Sequence, residues 1–485
     1  MFAVITSGHA LPPTPKGSML PPLNPRQRQV VDLRSQGHVV VLGTAGTGKS
    51  LMAVVRAVTL SRDGAAMLGG EPSPVLLVTF ANSLVNYLDH LTREASSRID
   101  PVNVTTSTFH KAAMGYLKAR GITGRSCDPK TRDALIAKAT AVVSKTRTNL
   151  SDRPMRFFRE EFDWIGGNGV RTLSEYLRIE RTGRGTALGQ PQRETVWAAR
   201  DEYLRYRQAR GLDLDLSLVG CAVRDQLPHD PNDRPWQHIV IDEGQDLQPE
   251  EIRALVNMVR PDGSITFFGD YAQQMYGSHL SWRSCGINLG NRRVERFADN
   301  FRNSTPIARL AVAVAKHPTF AGTEDELVEP VEPKREGGLP IVLRQANFDA
   351  ELERVAKAAR ARGNRESVVV LAHTKRQVEL IKESLPEARH LKDKAIWTHR
   401  TGIWCGTYHS AKGLEFDTVI MPLWGEGNVR VGVGTSEEDE LTSRELKKLY
   451  VGITRARTRL LVTYSGKLSP LFPADESLYR RVGAH

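Results

Sequence analysis

Two short stretches carry residue types that together can handle a nucleoside triphosphate. Gly43-Thr44-Ala45-Gly46-Thr47-Gly48-Lys49-Ser50 has the form G-x-x-x-x-G-K-S. Its glycines let backbone N–H groups close around phosphates at the positive end of the helix that follows. Lys49 would reach the β- and γ-phosphates, and Ser50 would ligate Mg²⁺. Further on, the apolar run Ile239-Val240-Ile241 ends on Asp242-Glu243. Asp242 would hold Mg²⁺, directly or through water, and Glu243 would polarise the attacking water as general base. A strand-end carboxylate pair alone specifies little. Joined to a phosphate loop, it supplies the second half of ATP hydrolysis.

These residues need rigid supports. Val39 to Leu42 reads as a strand running into Gly43, and Lys49 to Leu60 has helical apolar spacing. Val75 to Thr79, His238 to Ile241, Ile265 to Phe268, Val368 to Leu371 and Thr418 to Met421 are further strands of the fully buried kind, with helical segments between several of them. Continuous apolar strands alternating with helices imply parallel sheets covered on both faces, so the chain is α/β. From Lys118 to Pro235 the pattern gives way to a mainly helical region with aromatic positions at Phe157, Phe158, Trp164, Tyr176, Trp197, Tyr203 and Tyr206. That region holds 22 Lys and Arg against 16 Asp and Glu, half of the chain's excess positive charge. An acidic, proline-bearing stretch within 318–340 reads as a surface linker.

The 485 residues suffice for about three domains. A formal net charge of +12 and an isoelectric point near 9.6 favour a polyanionic partner, nucleic acid first. Mean hydropathy of −0.36 and the lack of any apolar run near 20 residues exclude a membrane-spanning role. Cys127, Cys221, Cys285 and Cys405 are far apart, without a C-x-x-C pair. This argues against zinc, iron–sulfur and disulfide scaffolds and places the chain in a reducing cytoplasm. Residues 1–20 read as a flexible leader without a secretory pattern, and Gly17-Ser18-Met19 suggests a natural start at Met19.

The sequence Asp242-Glu243-Gly244-Gln245-Asp246 resembles the D-E-x-Q-D signature of superfamily 1 helicases of the UvrD/Rep/PcrA type. Other motifs of that family follow in order. Leu23-Asn24-Pro25-Arg26-Gln27 resembles the leading L-N-x-x-Q element, which implies that Gln27 reads adenine. Val78-Thr79-Phe80-Ala81-Asn82 resembles motif Ia and Ser107-Thr108-Phe109-His110 the T-F-H element, both of which line the single-strand path in the family. Gly269 to Tyr276 resembles motif III, with Gln273 as γ-phosphate sensor and Tyr276 near DNA. Asp299 to Ser304 resembles motif IV, which implies that Phe301 stacks on adenine and Arg302 reaches the γ-phosphate. Thr407 to Phe416, with Glu415, resembles motif V, and Tyr450 to Arg457 resembles motif VI, with Arg455 as a second arginine finger.

The resemblance implies two RecA-like P-loop domains with ATP between them. The first would comprise residues 21–117 and 236–305, interrupted by a helical 1B-like insertion at 118–235, and the second residues 306–485. The family's large 2B subdomain is expected to be absent or a stub within 372–406. Only 28 residues follow Arg457, so any nuclease is expected to be a separate partner. Phe80, Tyr276 and Trp282 are candidate stacking platforms for single-stranded DNA or a single-strand/duplex junction, with Asn82, His110 and His409 as further DNA contacts. A core role for Phe80 and structural roles for the two histidines are the competing readings. Two departures stand out: Gly244 where the family has a bulkier residue, and a longer loop between Tyr276 and Trp282-Arg283. The expected activity is an ATP-dependent 3′-to-5′ single-strand DNA translocase or helicase. The alternative is a DNA-sensing ATPase subunit, for instance in phage defence with a separate nuclease. No residue pattern distinguishes DNA from RNA.

Overall fold

A computed structural model describes residues 20–33, 35–66, 70–97, 101–181, 184, 187–230, 233–270, 282–317, 333, 335–391, 401–429, 431 and 436–483. Its first half runs α1 (Pro25–Val31), β1 (Val39–Gly43), α2 (Lys49–Ala66), β2 (Val75–Thr79), α3 (Asn82–Ser96), β3 (Val104–Thr108) and α4 (Phe109–Lys118). The helices α5 (Pro129–Val143), α6 (Met155–Gly167), α7 (Leu173–Arg178), α8 (Gln190–Gln208) and α9 (Val219–Gln226) follow. Then β4 (Trp236–Ile241), α10 (Pro249–Met258), β5 (Val259–Gly269) and β6 (Glu295–Phe297) complete a parallel six-stranded sheet in the order β3-β2-β4-β5-β1-β6.

The second half contains α11 (Thr305–Ala315), β7 (Ile341–Gln345), α12 (Phe348–Gly363), β8 (Ser367–Ala372), α13 (Lys375–Ser384), β9 (Arg389–His390) and β10 (Gly402–Thr407). After these come β11 (Phe416–Met421), α14 (Ser436–Thr454), β12 (Ala456–Ser465) and β13 (Arg480–Val482). Its strands form a second parallel sheet, ordered β13-β7-β12-β11-β8-β10-β9. The two parallel-sheet α/β units agree with the expected fold class.

The continuous apolar strands follow from burial on both faces. Val39 and Val41 enter one core, Val40 and Leu42 the core on the opposite face of β1. The first of these cores continues into the second sheet through Leu84, Ala411, Leu414 and Val419. The sheets therefore share apolar contact and are not joined by a tether alone.

The helices α5 to α8 have their own core, which spans Cys127 to Leu212 and absorbs the aromatic positions flagged in the sequence. Phe162 stacks on Tyr203 at 5.8 Å, and Glu161, fully buried, accepts from Tyr176 Oη at 2.7 Å and from Arg181 Nε at 2.8 Å. By contrast, Val219, Val223 and Leu227 of the α9 region pack into the core of the first sheet. The separately packed insertion is thus shorter than residues 118–235. Several of its arginines are paired internally: Arg132 with Asp163 and Asp215, Arg171 with Asp225, and Arg181 and Arg184 with Glu161. These pairs tie several of the region's arginines to its carboxylates, while its net excess of 22 Lys and Arg over 16 Asp and Glu remains.

No described helix is long and apolar enough to cross a membrane. All four cysteines are free and buried.

Candidate active site

The turn after β1 is shaped by two glycines at positive φ, Gly46 at +81° and Gly48 at +81°. A Cβ on Gly46 would lie 2.1 Å from Asn300 Oδ1, so here the glycine serves close approach as well as backbone conformation. Ala45 is buried, and Thr47 Oγ1 donates to Thr44 O at 3.0 Å. The Lys49 ammonium, 6% exposed, donates to the carbonyls of Gly43 and Thr44 at 2.8 Å each and pairs with Asp270 Oδ2 at 3.3 Å. Gln27 closes a capping box with Asn24 at the start of α1, and its Nε2 donates to Thr47 O at 2.9 Å. Gln27 therefore braces the phosphate loop whether or not it also meets a base.

Asp242 and Glu243 stand at the end of β4. Glu243 has φ 54° and ψ 40°, a left-handed conformation costing about 1–2 kcal/mol for a residue with a Cβ. A Cβ on Gly244 would come within 2.3 Å of the buried Phe267 ring, which accounts for glycine at this departure from the family pattern. Gln245 ties the strand ends together: its Nε2 donates to Glu243 Oε2 at 2.6 Å, and its Oε1 accepts from the Asp270 N–H at 2.9 Å.

The two carboxyl groups are pushed in opposite directions. Burial, reinforced by Glu243, pushes Asp242 up to about 7. Burial would also raise Glu243, but Lys412, Lys49 and Arg455 outweigh it and hold the group below the usual carboxylate range. Both Asp242 oxygens are buried, and neither has a hydrogen bond of normal geometry among the described residues, although the Ser50 hydroxyl is close enough to favour the ionised form. A buried carboxylate in that condition, beside a hydroxyl and a phosphate loop, fits a hard divalent cation such as Mg²⁺.

The second sheet brings positive charge to this place. Arg455, between α14 and β12, is fully buried; it donates to Val451 O at 3.1 Å and Leu414 O at 3.2 Å. Burial, with Arg302 nearby, lowers its pKa to about 10, while Glu243 and Asp270 act in the opposite sense. It stays charged at neutral pH. Arg302 Nε donates to Glu415 Oε2 at 2.7 Å, and Arg457 pairs with the same carboxylate at 3.4 Å. Against burial, these two arginines keep Glu415 ionised.

The segment 299–304 connects the halves. The Phe301 N–H donates to Gly46 O at 2.9 Å, while Asn303 Nδ2 donates to Thr454 O at 3.2 Å, next to Arg455. The Phe301 side chain is 54% exposed beside the loop, free to receive a flat ring. Lys412 Nζ meets Asp246 Oδ2 at 2.5 Å, with both groups buried, and Ser83 Oγ donates to Ser410 O at 3.0 Å. Sequence reasoning missed Gln245, Asp246, Asp270, Asn303 and Lys412. The motif matches contained all five, but most of their partners lie far away in the chain.

The candidate DNA residues are more scattered. Trp282 is a correction: it is 4% exposed and packs with Cys285 and Ile287 in the core of the first sheet, so its ring is no surface platform. Phe80 is half-buried against the same core. Asn82 is exposed at the start of α3. His110 Nε2 lies 3.4 Å from Glu251 Oε1. His409 protrudes, yet crowding, then Lys448 and Lys412, push its pKa down to about 4, which makes it neutral at pH 7. Gln273 and Tyr276 lie outside the described residues.

Residues 23–292 match the UvrD/REP helicase N-terminal domain, and residues 391–467 match the UvrD-like helicase C-terminal domain. DNA helicase IV of Escherichia coli (strain K12) is 24% identical over 496 aligned positions, which cover 92% of this chain and 68% of that protein. ATP-dependent DNA helicase UvrD2 of Mycobacterium tuberculosis is 27% identical over 392 positions, covering 76% of this chain and 54% of the relative. A probable DNA helicase II homolog of Rickettsia conorii is 45% identical over 60 positions, 12% of this chain. The chain thus spans about two thirds of the first relative and about half of the second. With the N-terminal match covering more than half of its 485 residues, the chain belongs to the UvrD/REP helicase family.

Proposed function

We propose that this chain hydrolyses ATP between its two sheets and uses the resulting domain motion to move along single-stranded DNA, in the 3′-to-5′ direction. The observation that carries the reading is the convergence of the two sheets on one buried site: Phe301 bonds Gly46 of the phosphate loop, Asn303 bonds Thr454 beside Arg455, and Lys412 pairs with Asp246 beside Glu243. Hydrolysis needs a base on the attacking water and positive charge on the transferred phosphoryl group; here these sit on different bodies.

In this reading Glu243, ionised and oriented by Gln245, takes the proton of the attacking water. Lys49 exchanges loop carbonyls for phosphate oxygens. Arg455 and Arg302 meet the charge that develops on the γ-phosphate, a type of contact contributing on the order of 10³- to 10⁵-fold in related sites. Phe301 and Gln27 flank the base. Ser50 and Asp242 would hold Mg²⁺, which when bound supplies compensating positive charge beside the phosphates. Because the two halves of the site belong to different sheets, nucleotide turnover alters their separation, and a strand held by both is advanced. The single-strand path would run by Phe80, Asn82, His110, His409, Gln273 and Tyr276.

We further place the chain in the cytoplasm, a reading supported by four free thiols, and read the 2B element as absent or a stub within residues 372–406, a reading supported by α13 and β9 packing on and extending the second sheet. A reduced 2B element supports the second reading, a DNA-sensing ATPase subunit that unwinds weakly alone and works with a separate nuclease. A polarity-resolved translocation assay alongside an ATPase assay tests both. Glu243→Gln is expected to abolish DNA-stimulated turnover while nucleotide binding persists; undiminished turnover would refute the site. Translocation without strand separation by the isolated chain favours the subunit reading.

A further inference from the structure

Along the β6 edge of the first sheet, two open grooves of about 650 and 710 Å³ adjoin, sharing Arg293, Val294 and Arg296 in their walls. Arg283 and Arg292 line the first, Arg26 the second. Arg292 donates to the carbonyls of Gly37 and His38, just before β1 begins. This part of the groove is therefore at the end of β1 opposite Gly43 and the phosphate loop. The ends of β2 and β3, which carry Phe80 and His110, belong to the other side of the sheet order.

The charge state of this surface differs from that of the insertion. Arg132, Arg171, Arg181 and Arg184 all face carboxylates, whereas Arg26, Arg283, Arg292 and Arg293 have no ion-pair partner among the described residues. Arg293 is exposed, as is Arg283, whose guanidinium lies over the Trp282 ring, 4.8 Å from its centroid. The one acidic side chain in the walls is Glu295.

We propose that this arginine groove binds the phosphate backbone of duplex DNA, as a second contact separate from the single-strand path. Guanidinium groups present planar paired donors that suit phosphate oxygens. Single-strand sites add aromatic faces on which bases stack, and among the described residues no exposed aromatic ring lines these walls, Trp282 being buried. A surface with backbone donors and no stacking platform matches a duplex, whose bases are already stacked inside. The contact would hold the duplex arm of a junction while the opposite end of the domain handles ATP.

The test compares the full chain with Arg293→Glu and with Arg283→Glu/Arg293→Glu, on a blunt 20-base-pair duplex and on a short oligothymidylate. Expected is weaker duplex binding, with the slope of log affinity against log salt reduced by about one in the single variant and about two in the double. ATPase stimulation by the short oligonucleotide should stay unchanged. Because Arg293 is exposed, the single variant retains the fold even if the double does not. Unaltered duplex affinity and salt slope in Arg293→Glu would overturn the proposal, as would equal losses on duplex and oligonucleotide. The inference rests on the chain working on DNA, but the failures differ: a parent protein with no DNA-stimulated turnover overturns the motor reading, whereas unchanged duplex binding in the variants overturns only the groove.

Discussion

Lys412 and Asp246 form a buried ion pair, 2.5 Å from Nζ to Oδ2, that joins the loop before β11 to the loop after β4. It links the second sheet to the strand end that carries Glu243. Desolvating both charges offsets much of their attraction, so the pair contributes registry between the sheets more than net stability. Lys412 is also the foremost charge holding Glu243 ionised. Lys412→Met should therefore move the acidic limb of the kcat–pH profile to higher pH, because the Glu243 anion loses its main counter-charge. Asp246→Asn should lower kcat at least about tenfold, and the double variant should be no worse than the poorer single, as expected of residues acting as a unit. A profile that does not move in Lys412→Met would contradict this role.

Gly244 is expected to be intolerant of even one methyl group. Its added Cβ would meet the Phe267 ring at 2.3 Å, and that ring is fully buried. Gly244→Ala should destabilise the protein by about 1–3 kcal/mol, as overpacking does. Adding Phe267→Leu should recover part of the loss in denaturant titrations; no recovery would mean the strain is in the backbone.

Glu160 on α6 pairs with Arg444 on α14, the helix that leads to Arg455, at 3.3 Å. Burial opposes its ionisation, but Arg444 and Arg156 prevail and hold it at about 2. Its folded value is below the unfolded one, so its contribution is full above the ordinary 4.5 and fades as pH falls toward 2. Glu160→Gln should cost about 1–2 kcal/mol at pH 7, and the gap from the parent should close in acid. Unfolding curves at pH 7, 4 and 3 decide it.

Phe301 should affect nucleotide affinity without affecting the fold. Being exposed, it contributes little core, and Phe301→Ala should leave the melting temperature unchanged. Loss of a stacking face worth about 1 kcal/mol should raise KM for ATP about fivefold.

Much of the fold and the chemistry was legible in the sequence because both are local. A strand buried on both faces must be continuously apolar, as Val39 to Leu42 and Val75 to Thr79 are. The phosphate loop must combine glycines with Lys49 within one turn. What was not legible depends on pairing across distance. Nothing near Lys412 in the chain announces Asp246, and Trp282, beside an arginine in a polar stretch, gives no sign of its burial. Charge misled for the same reason: Arg132, Arg171, Arg181 and Arg184 of the insertion face carboxylates, whereas Arg26, Arg283, Arg292 and Arg293 have no ion-pair partner among the described residues. Counting charges could not reveal which were neutralised.

The proposed hydrolysis requires Arg455 to act across the interface on ATP held by the first sheet. The direct measurement is single-turnover ATP hydrolysis, with single-stranded DNA bound, by Arg455→Lys, which keeps the positive charge but not the planar guanidinium. Expected is a fall of about 10³-fold in the hydrolysis rate, with ATP affinity and melting temperature close to those of the parent protein. Hydrolysis within tenfold of the parent rate would contradict it.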